Sequence, residues 1–172
     1  MEYLIVNEDI TTVKVDVIVN ESNGVGYMGG ILGKKFKLRG TTQSIQYATR
    51  GSVEREAERI CKSRRRRKKH LPGCRFGYNP GEIFVTNAGN LEAKYIIHAV
   101  TVRLPGMHSN INIVKKLIPK IISKAYELDV NSIAVPLIGI QSGRIPKDEV
   151  IMFYKEFFRC VRCVHVVIVD RF

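Results

Sequence analysis

The sequence predicts an α/β fold in which a mostly parallel sheet of about six strands carries helices on both faces. Short β-branched runs alternate along the chain with helical patterns, the order that such folds require. Most of these runs are apolar on successive residues, which is typical of strands covered on both faces. The chain has 172 residues, 45% of them hydrophobic, and can bury one sizeable core. We therefore expect a single domain over residues 1–172.

Six segments have the composition of strands. They lie at residues 3–7, 15–20, 82–87, 95–100, 132–137 and 164–169. Antiparallel pairing at an edge of the sheet is one option for the first of these, and its sequence leaves the direction open.

Three stretches have helical patterns, at residues 51–69, 111–128 and 146–160. Ser52 can cap the first helix, and Pro146 suits the first helical position of the third. Pro119 interrupts the second pattern, so that helix is either kinked or begins later than its periodicity suggests.

The net charge of +12 is concentrated in one segment. Residues 50–75 hold eleven basic and three acidic side chains, a local balance of +8, and we treat 50–81 as a basic helix and loop segment. Its centre is a continuous run of Arg64, Arg65, Arg66, Arg67, Lys68 and Lys69. One interpretation is contact with a phosphate backbone, as in nucleic acid. The alternative is a solvated surface run.

The composition also bears on location and on metals. The chain has no run of about 18 apolar residues and no signal-peptide pattern at its start, so we expect a cytoplasmic protein that makes no membrane contact.

Its four cysteines are then expected to be reduced thiols: Cys61, Cys74, Cys160 and Cys163. Cys160 and Cys163 have CxxC spacing but lack a second pair, so we predict neither a metal site nor a cofactor.

Two glycine-rich segments follow predicted strands. Asn20 and Asn23 end the second strand and lead into Gly24, Gly26, Gly29 and Gly30, where bare backbone can approach an anion. Residues 139–144 follow the fifth strand in the same way and lead into a helix N-terminus. Each segment alone is also explained as an ordinary turn or strand-to-helix connection.

Taken together, these segments resemble the macro domain family over nearly the whole chain. Asp9-Ile10-Thr11 is similar to the family's Gly-Asp-Ile-Thr, and residues 15–23 to its Val-Asp-Ala-Ile-Val-Asn-Ala-Ala-Asn. Residues 28–30 resemble its phosphate loop. Residues 81–100 are similar to Gly-Glu-Ala-x-x-Thr-x-Ala-Gly-x-Leu-x-Ala-Lys-Tyr-x-Ile-His-x-Val, and residues 133–146 to Ile-Ala-x-Pro-Ala-Ile-Gly-Thr-Gly-x-x-Gly-Phe-Pro.

The resemblance implies a three-layer α/β/α sandwich that binds ADP-ribose, free or as protein-linked mono-ADP-ribose. Asp9 would accept from the adenine amino group, with the Ile10 backbone beside it. Asn23 would hold the distal ribose, and Asn20 would brace the strand end. The remaining implied ligand-binding residues form the two walls around the diphosphate: Gly29, Gly30, Ile31, Gly139, Ile140, Gln141, Ser142, Gly143, Arg144 and Ile145.

The resemblance leaves catalysis open. A hydrolytic branch of the family has an Asp where this chain has Gly33, so that catalytic group is missing here. Asn23 is the one catalytic candidate that remains. Another branch has a Lys–Asp pair; its Lys position falls near Val102, and Gly143 falls at its Asp. Binding is therefore the primary expectation. The alternatives are an ADP-ribosyl hydrolase, including one that processes ADP-ribose 1''-phosphate, and a basic module for nucleic acid or poly(ADP-ribose).

Overall fold

The computed structural model describes residues 3–30, 40–68 and 77–171. Within them one sheet contains β1 (Leu4–Val6), β2 (Val17–Asn23), β3 (Ile83–Asn87), β4 (Tyr95–Val102), β5 (Ser132–Pro136) and β6 (His165–Val169). The helices there are α1 (Thr41–Ala48), α2 (Ser52–Arg67), α3 (Ile111–Glu127), α4 (Ile140–Gly143) and α5 (Lys147–Phe158). A 3-10 turn covers Ile10–Thr12.

The strand order is β1-β6-β5-β2-β4-β3, and all neighbours are parallel except β3 and β4. The predicted mixed, mostly parallel sheet is confirmed. Strand β1 lies at an edge, and its direction, left open by the sequence, is parallel, with Leu4 opposite Val167; the antiparallel option is wrong. The antiparallel strand is β3, at the other edge. Its connection to β4, residues 88–94, is too short for the crossover that parallel pairing needs.

Helices cover both faces of the sheet, so the fold is the three-layer sandwich expected. Val17 and Val19 of β2 pack in one core with α3 and α5. Ile18, between them, packs in a second core with Ile45 of α1 and Val53 of α2. Alternate residues of one strand thus face two apolar layers, which explains why the strands are apolar on successive positions.

Two helix starts differ from the expected ones. Ser52 does not cap α2: its hydroxyl donates to the Thr49 carbonyl at 2.9 Å, and the residue before the helix is Gly51 with a left-handed φ of 73°. In α3 the side chain of Asn110 accepts the N–H of Ile113 at 3.2 Å, so the helix begins at Ile111 and keeps Pro119 inside it. The later start considered for this helix is therefore wrong.

Helix α1 was not predicted from the sequence. Only Ile45 among its residues is fully buried, so it lacks the repeated apolar positions that mark an amphipathic helix. It nevertheless lies beside the carboxyl end of β2, where Thr42 donates to the Glu21 carbonyl at 2.8 Å. None of the helices in residues 3–30, 40–68 and 77–171 is long and apolar enough to span a membrane.

Candidate functional site

Two adjoining pockets lie beside the carboxyl ends of the central strands. The Asp9 pocket, of about 250 Å³, is lined by Glu8, Asp9, Ile10, Gly40, Thr41, Gln43, Ser44, Tyr47, Val169 and Arg171. The Asn23 pocket, of about 460 Å³, has among its lining residues Glu21, Asn23, Tyr27, Gly29, Thr101, His108, Gln141 and Arg144. Thr41 and Gln43 line both, so the two pockets meet at the start of α1.

The carboxylate of Asp9 is held in place at the head of the 3-10 turn. Its Oδ1 accepts from the Thr11 backbone N–H at 3.0 Å and from the Thr11 hydroxyl at 2.6 Å, while Oδ2 accepts from the Ser44 hydroxyl at 2.8 Å. Partial burial raises the pKa of this carboxyl, but these hydrogen bonds and the charge of Arg171 outweigh it and hold the pKa below its usual value. Asp9 is therefore an oriented anion at neutral pH.

Asn20 lies beneath the pockets and braces the strand end. It is fully buried, its Nδ2 donates to Nδ1 of His98 at 3.2 Å, and its Oδ1 accepts from the Thr42 hydroxyl at 2.9 Å. Because Nδ1 accepts, the proton of a neutral His98 lies on Nε2, which faces the Thr86 hydroxyl at 3.0 Å. Burial lowers the pKa of His98 to about 3, so this histidine is a neutral structural residue.

Asn23 organises the first loop, residues 24–30. Its Oδ1 accepts from the N–H groups of Val25 at 3.2 Å and Tyr27 at 3.1 Å, and its Nδ2 donates to the Tyr27 carbonyl at 2.7 Å. The same side chain also lines the Asn23 pocket. Asn23 therefore shapes the turn and also faces the pocket, so its part in an ordinary turn does not exclude a part in binding.

A buried carboxylate holds the glycine-rich end of the first loop. Oε1 of Glu54, on α2, accepts from the N–H groups of Met28 at 2.7 Å and Gly30 at 3.0 Å. These two main-chain donors are therefore committed within the protein. Gly29, between them, lines the Asn23 pocket, and none of the described residues accepts from its N–H.

A second carboxylate reaches the second loop, residues 139–144. Glu21, in β2, accepts from the Thr101 hydroxyl at 3.1 Å and from the Gly139 N–H at 3.0 Å. Gly139 has a left-handed φ of 90°, and a Cβ there would lie 2.5 Å from Cδ1 of Ile145. Ile145 thus fills the space beside Gly139 from the core side and does not line either pocket.

Gln141 extends from the second loop toward α1. A Cβ on Gly40 would lie 2.6 Å from its Oε1, so the end of the Gln141 side chain packs directly against the Gly40 backbone. Gly40 lines the Asp9 pocket and Gln141 the Asn23 pocket, which places this contact at the boundary between them. The bulk of Gln141 narrows the cleft without filling it.

The structure brings together some of the predicted ligand-binding residues and not others. Lining the pockets are Asp9, Ile10, Asn23, Gly29, Gln141 and Arg144. Not lining them are Asn20, Gly30, Gly139, Ile140, Gly143 and Ile145. Ile31 and Gly33 lie outside the described residues, as does the side chain of Ser142. The ligand roles of all these residues stay predictions.

The sequence reasoning missed the two carboxylates, Glu21 and Glu54. For Glu21 a signal was present, because it stands where the matched family motif has alanine. Glu54 sits 24 residues beyond Gly30, and nothing in the local sequence connects the two.

The basic run is divided between two environments. Arg64 packs over the Tyr78 ring, 4.0 Å from guanidinium carbon to centroid, and pairs with Glu82. The following arginines continue α2 to its end at Arg67 with exposed side chains, and Lys69 lies outside the described residues. One exposed face of α2 presents Arg55, Glu58, Arg59, Lys62, Ser63, Arg66 and Arg67.

In the described residues no three His, Cys, Asp or Glu side chains are grouped so that they could hold a metal ion. Cys61 is buried against Phe84, and desolvation raises the pKa of its thiol to about 12. Cys160 and Cys163 are exposed free thiols, and Cys74 lies outside the described residues.

Comparison with known proteins identifies relatives of this chain. A macro domain-containing protein of Listeria monocytogenes is 34% identical over 149 residues, which are 86% of this chain and 73% of that protein. An uncharacterized protein of Thermotoga maritima is 31% identical over 157 residues, 90% of this chain but only 23% of that longer protein.

Solved structures share the fold. The macrodomain of Thermus aquaticus DarG superposes with a TM-score of 0.76 at 23% identity, covering 98% of both chains. Thermosipho africanus DarTG, solved in complex with ADP-ribose, gives a TM-score of 0.73 at 15% identity, covering 99% of this chain and 42% of that one. The family model for the macro domain matches residues 19–153. On the strength of that match and the Listeria relative, the chain belongs to the macro domain family.

Proposed function

We propose that this protein binds ADP-ribose, free or attached to protein, in the cleft formed by the Asp9 and Asn23 pockets. The observation that carries the proposal is the junction of the two pockets at Thr41 and Gln43. A ligand with a base at one end and a sugar at the other can extend through that junction. Its base then lies in one pocket, its sugar in the other and its diphosphate between the two loops.

The Asp9 pocket suits the adenine. Asp9 is ionised and oriented, and its Oδ2 accepts from one described donor, the Ser44 hydroxyl. A carboxylate oxygen has two lone-pair directions, so Oδ2 can also accept from the adenine amino group. Ile10 and Tyr47 line the same pocket and supply apolar and aromatic surface against which the base can pack.

The Asn23 pocket suits the rest of the ligand. Gly29 of the first loop and Arg144 of the second both line it. A bare backbone N–H and a guanidinium are the usual partners of phosphate oxygens. Asn23 lines this pocket too, and the one Nδ2–H that it does not donate to the Tyr27 carbonyl can donate to a hydroxyl of the distal ribose.

Relatives support this assignment. The Thermosipho structure was solved with ADP-ribose, and a macrodomain of Oceanobacillus iheyensis was solved with the same ligand at 20% identity and a TM-score of 0.71. We infer that this chain uses its cleft for the same class of ligand.

Thermal unfolding with and without ADP-ribose tests the proposal. A ligand at about 100 times its Kd stabilises the folded state by about 2.7 kcal/mol, which for a domain of this size raises the Tm by several degrees. Ribose 5-phosphate, which lacks the adenosine and one phosphate, serves as the control. The absence of any shift with millimolar ADP-ribose would refute the proposal.

Hydrolysis of ADP-ribosyl groups is the first alternative. One observation favours it: the carboxylate of Glu21 lies in the cleft near Asn23, although the positions of the family's Lys–Asp pair hold Val102 and Gly143. Mono-ADP-ribosylated protein is the substrate to use. Release of ADP-ribose no faster than in buffer would decide against this activity.

Contact with nucleic acid or poly(ADP-ribose) through α2 is the second alternative. Its exposed face presents Arg55, Arg59, Lys62 and Arg66 at spacings of four, three and four residues. At 1.5 Å per residue these side chains follow one another every ~4.5–6 Å, so they form a continuous basic strip that can face a phosphate backbone. Arg64 is not part of this face, because Glu82 and Tyr78 hold it.

A further inference from the structure

A tight turn in the connection between β4 and α3 carries three exposed apolar side chains, those of Leu104, Pro105 and Met107. The N–H of Met107 donates to the Leu104 carbonyl at 3.3 Å, which closes the turn. Pro105 and Gly106 occupy its two central positions, and Gly106 has a left-handed φ of 84°. Proline followed by glycine with a positive φ is the combination typical of a type II turn. The apolar turn, residues 104–107, is therefore a conformation that its own sequence favours.

Both ends of the apolar turn are anchored to the loops of the cleft. The N–H of Gly24, in the first loop, donates to the carbonyls of Val102 at 2.9 Å and Arg103 at 3.0 Å. On the other side, Gly143 of the second loop packs against the backbone of Ser109, because a Cβ on Gly143 would lie 3.2 Å from the Ser109 carbonyl oxygen. These contacts place the apolar turn between the two loops.

The apolar turn forms part of the rim of the Asn23 pocket. Pro105, Gly106 and Met107 line that pocket, and Leu104, at the start of the turn, does not. Leu104 is 37% exposed and Met107 is 47% exposed. Single exposed apolar side chains are common and need no explanation, but a group of them beside a ligand pocket indicates a contact surface.

The polar half of ADP-ribose does not match this surface. The inference rests on the proposed function, which places adenine in the Asp9 pocket and leaves the diphosphate and the terminal ribose for the Asn23 pocket. Hydroxyl and phosphate groups lose water and gain no hydrogen bond when they pack against apolar side chains. The apolar turn therefore suits a group joined to the ligand better than it suits the ligand itself.

We propose that the apolar turn contacts the polypeptide of an ADP-ribosylated protein, at an apolar residue next to the modified side chain. The cleft then prefers protein-linked mono-ADP-ribose that has such a neighbour. Because the ADP-ribose anchors the polypeptide in the cleft, the second contact forms within one complex and adds to the affinity even though it is small.

The size of the surface favours a peptide over a second copy of this chain. A stable protein–protein interface buries about 1,200–2,000 Å² of total surface. The three apolar side chains of one turn supply a small part of that area, which matches one or two side chains of a tethered peptide.

The test compares the Kd values of three ligands. One is free ADP-ribose, and the other two are peptides that carry mono-ADP-ribose through a hydrolysis-resistant linkage. The peptides differ only in the two residues that flank the modified side chain, which are leucine in one peptide and serine in the other. We expect the wild type to bind the leucine peptide at least ~5-fold more tightly than the serine peptide, because part of a leucine side chain is buried.

Two variants show whether the apolar turn causes this preference for leucine. Leu104→Ser removes an apolar side chain that does not line the pocket and should reduce the preference to less than about twofold. Met107→Ser should reduce it as well. Met152→Ser is the matched control, because this methionine is 71% exposed on α5, and it should keep the wild-type preference.

The inference is overturned if the wild type binds the two peptides equally, or if Leu104→Ser keeps the wild-type preference. It is also overturned if the wild type self-associates in sedimentation and Leu104→Ser abolishes the association, because the turn would then be an interface between copies. Failure of the proposed function gives a different result: the folded wild type would bind none of the three ligands, free ADP-ribose included.

Discussion

Oε1 of Glu54 accepts the backbone N–H of Met28 at 2.7 Å, and this buried bond ties α2 to the first loop of the cleft. The same oxygen also accepts the N–H of Gly30, while Oε2 accepts from the Gln46 side chain at 3.3 Å. The first loop, α1 and α2 therefore depend on one carboxylate. The shape of the cleft is a property of these tertiary contacts.

Replacing Glu54 should destabilise the fold. Glu54→Ala leaves two N–H groups without their acceptor, and the bonds lost were made to a charged group, so we expect a loss of about 2–4 kcal/mol in the free energy of unfolding. Urea unfolding measures it. Glu56→Ala, on the same helix with one long exposed contact to Asn87, is the control and should change stability by less than ~0.5 kcal/mol. Equal effects from both would contradict the role given to Glu54.

Tyr154 supports the second loop from below. Its buried hydroxyl donates to the Pro136 carbonyl at 2.9 Å and accepts the Ile138 N–H at 3.2 Å. Tyr154→Phe should therefore cost about 1–3 kcal/mol, because it leaves both backbone groups unpaired in the core. Tyr126→Phe also removes one hydroxyl bond, to the Arg162 carbonyl, but at an exposed site. A smaller effect of Tyr154→Phe than of Tyr126→Phe in thermal melts would contradict this account.

His98 should make stability depend on pH. Its folded pKa, about 3, lies below the value of 6.5 for an unperturbed histidine, so the unfolded chain binds the extra proton first as pH falls. The stability contributed by neutral His98 is complete above pH 6.5 and declines by up to ~1.4 kcal/mol per pH unit between 6.5 and 3. His98→Asn, which cannot titrate, should be less stable at pH 7 yet show a shallower slope. Urea unfolding between pH 7 and pH 5 compares the two slopes, and equal slopes would disprove the assignment.

The basic face of α2 gives a separate prediction. If it contacts phosphates, Arg59→Glu should weaken retention on nucleic acid and reduce the slope of log K against log salt by about one or more. Lys155→Glu makes the same charge change on the exposed side of α5 and should have little effect. If both variants behave alike, the binding reflects net charge and not this face. Steps of salt concentration in a filter-binding titration measure the slopes.

Much of the fold could be predicted from the sequence because local patterns determine it. The strands around Ile18 and Ile97 are buried on both sides, and their continuous apolar runs carry that information. The bracing role of Asn20 was also predicted, since it follows from the resemblance. Helix α1 was not predicted, because Ile45 is its one fully buried residue and one buried position makes no repeated apolar pattern.

The cleft was harder to predict, because its details come from contacts between distant segments. Glu21 meets Gly139 across 118 positions of sequence, and Glu54 meets Met28 across 26. Ile145, which the resemblance places beside the ligand, packs into the core next to Gly139. An aliphatic side chain at that position gains more from burial than from facing an open, polar cleft.

Calorimetric titration of ADP-ribose into the wild type and into Thr41→Trp tests the central claim most directly. Thr41 lines both pockets, and tryptophan there fills the junction that the ligand must cross. Met152→Trp, at a side chain that is 71% exposed on α5, is the control. We predict one site on the wild type and on Met152→Trp, and an affinity at least ~10-fold lower for Thr41→Trp, a loss of about 1.4 kcal/mol or more. Equal binding by all three proteins, or no heat from the wild type with millimolar ligand, would contradict the account.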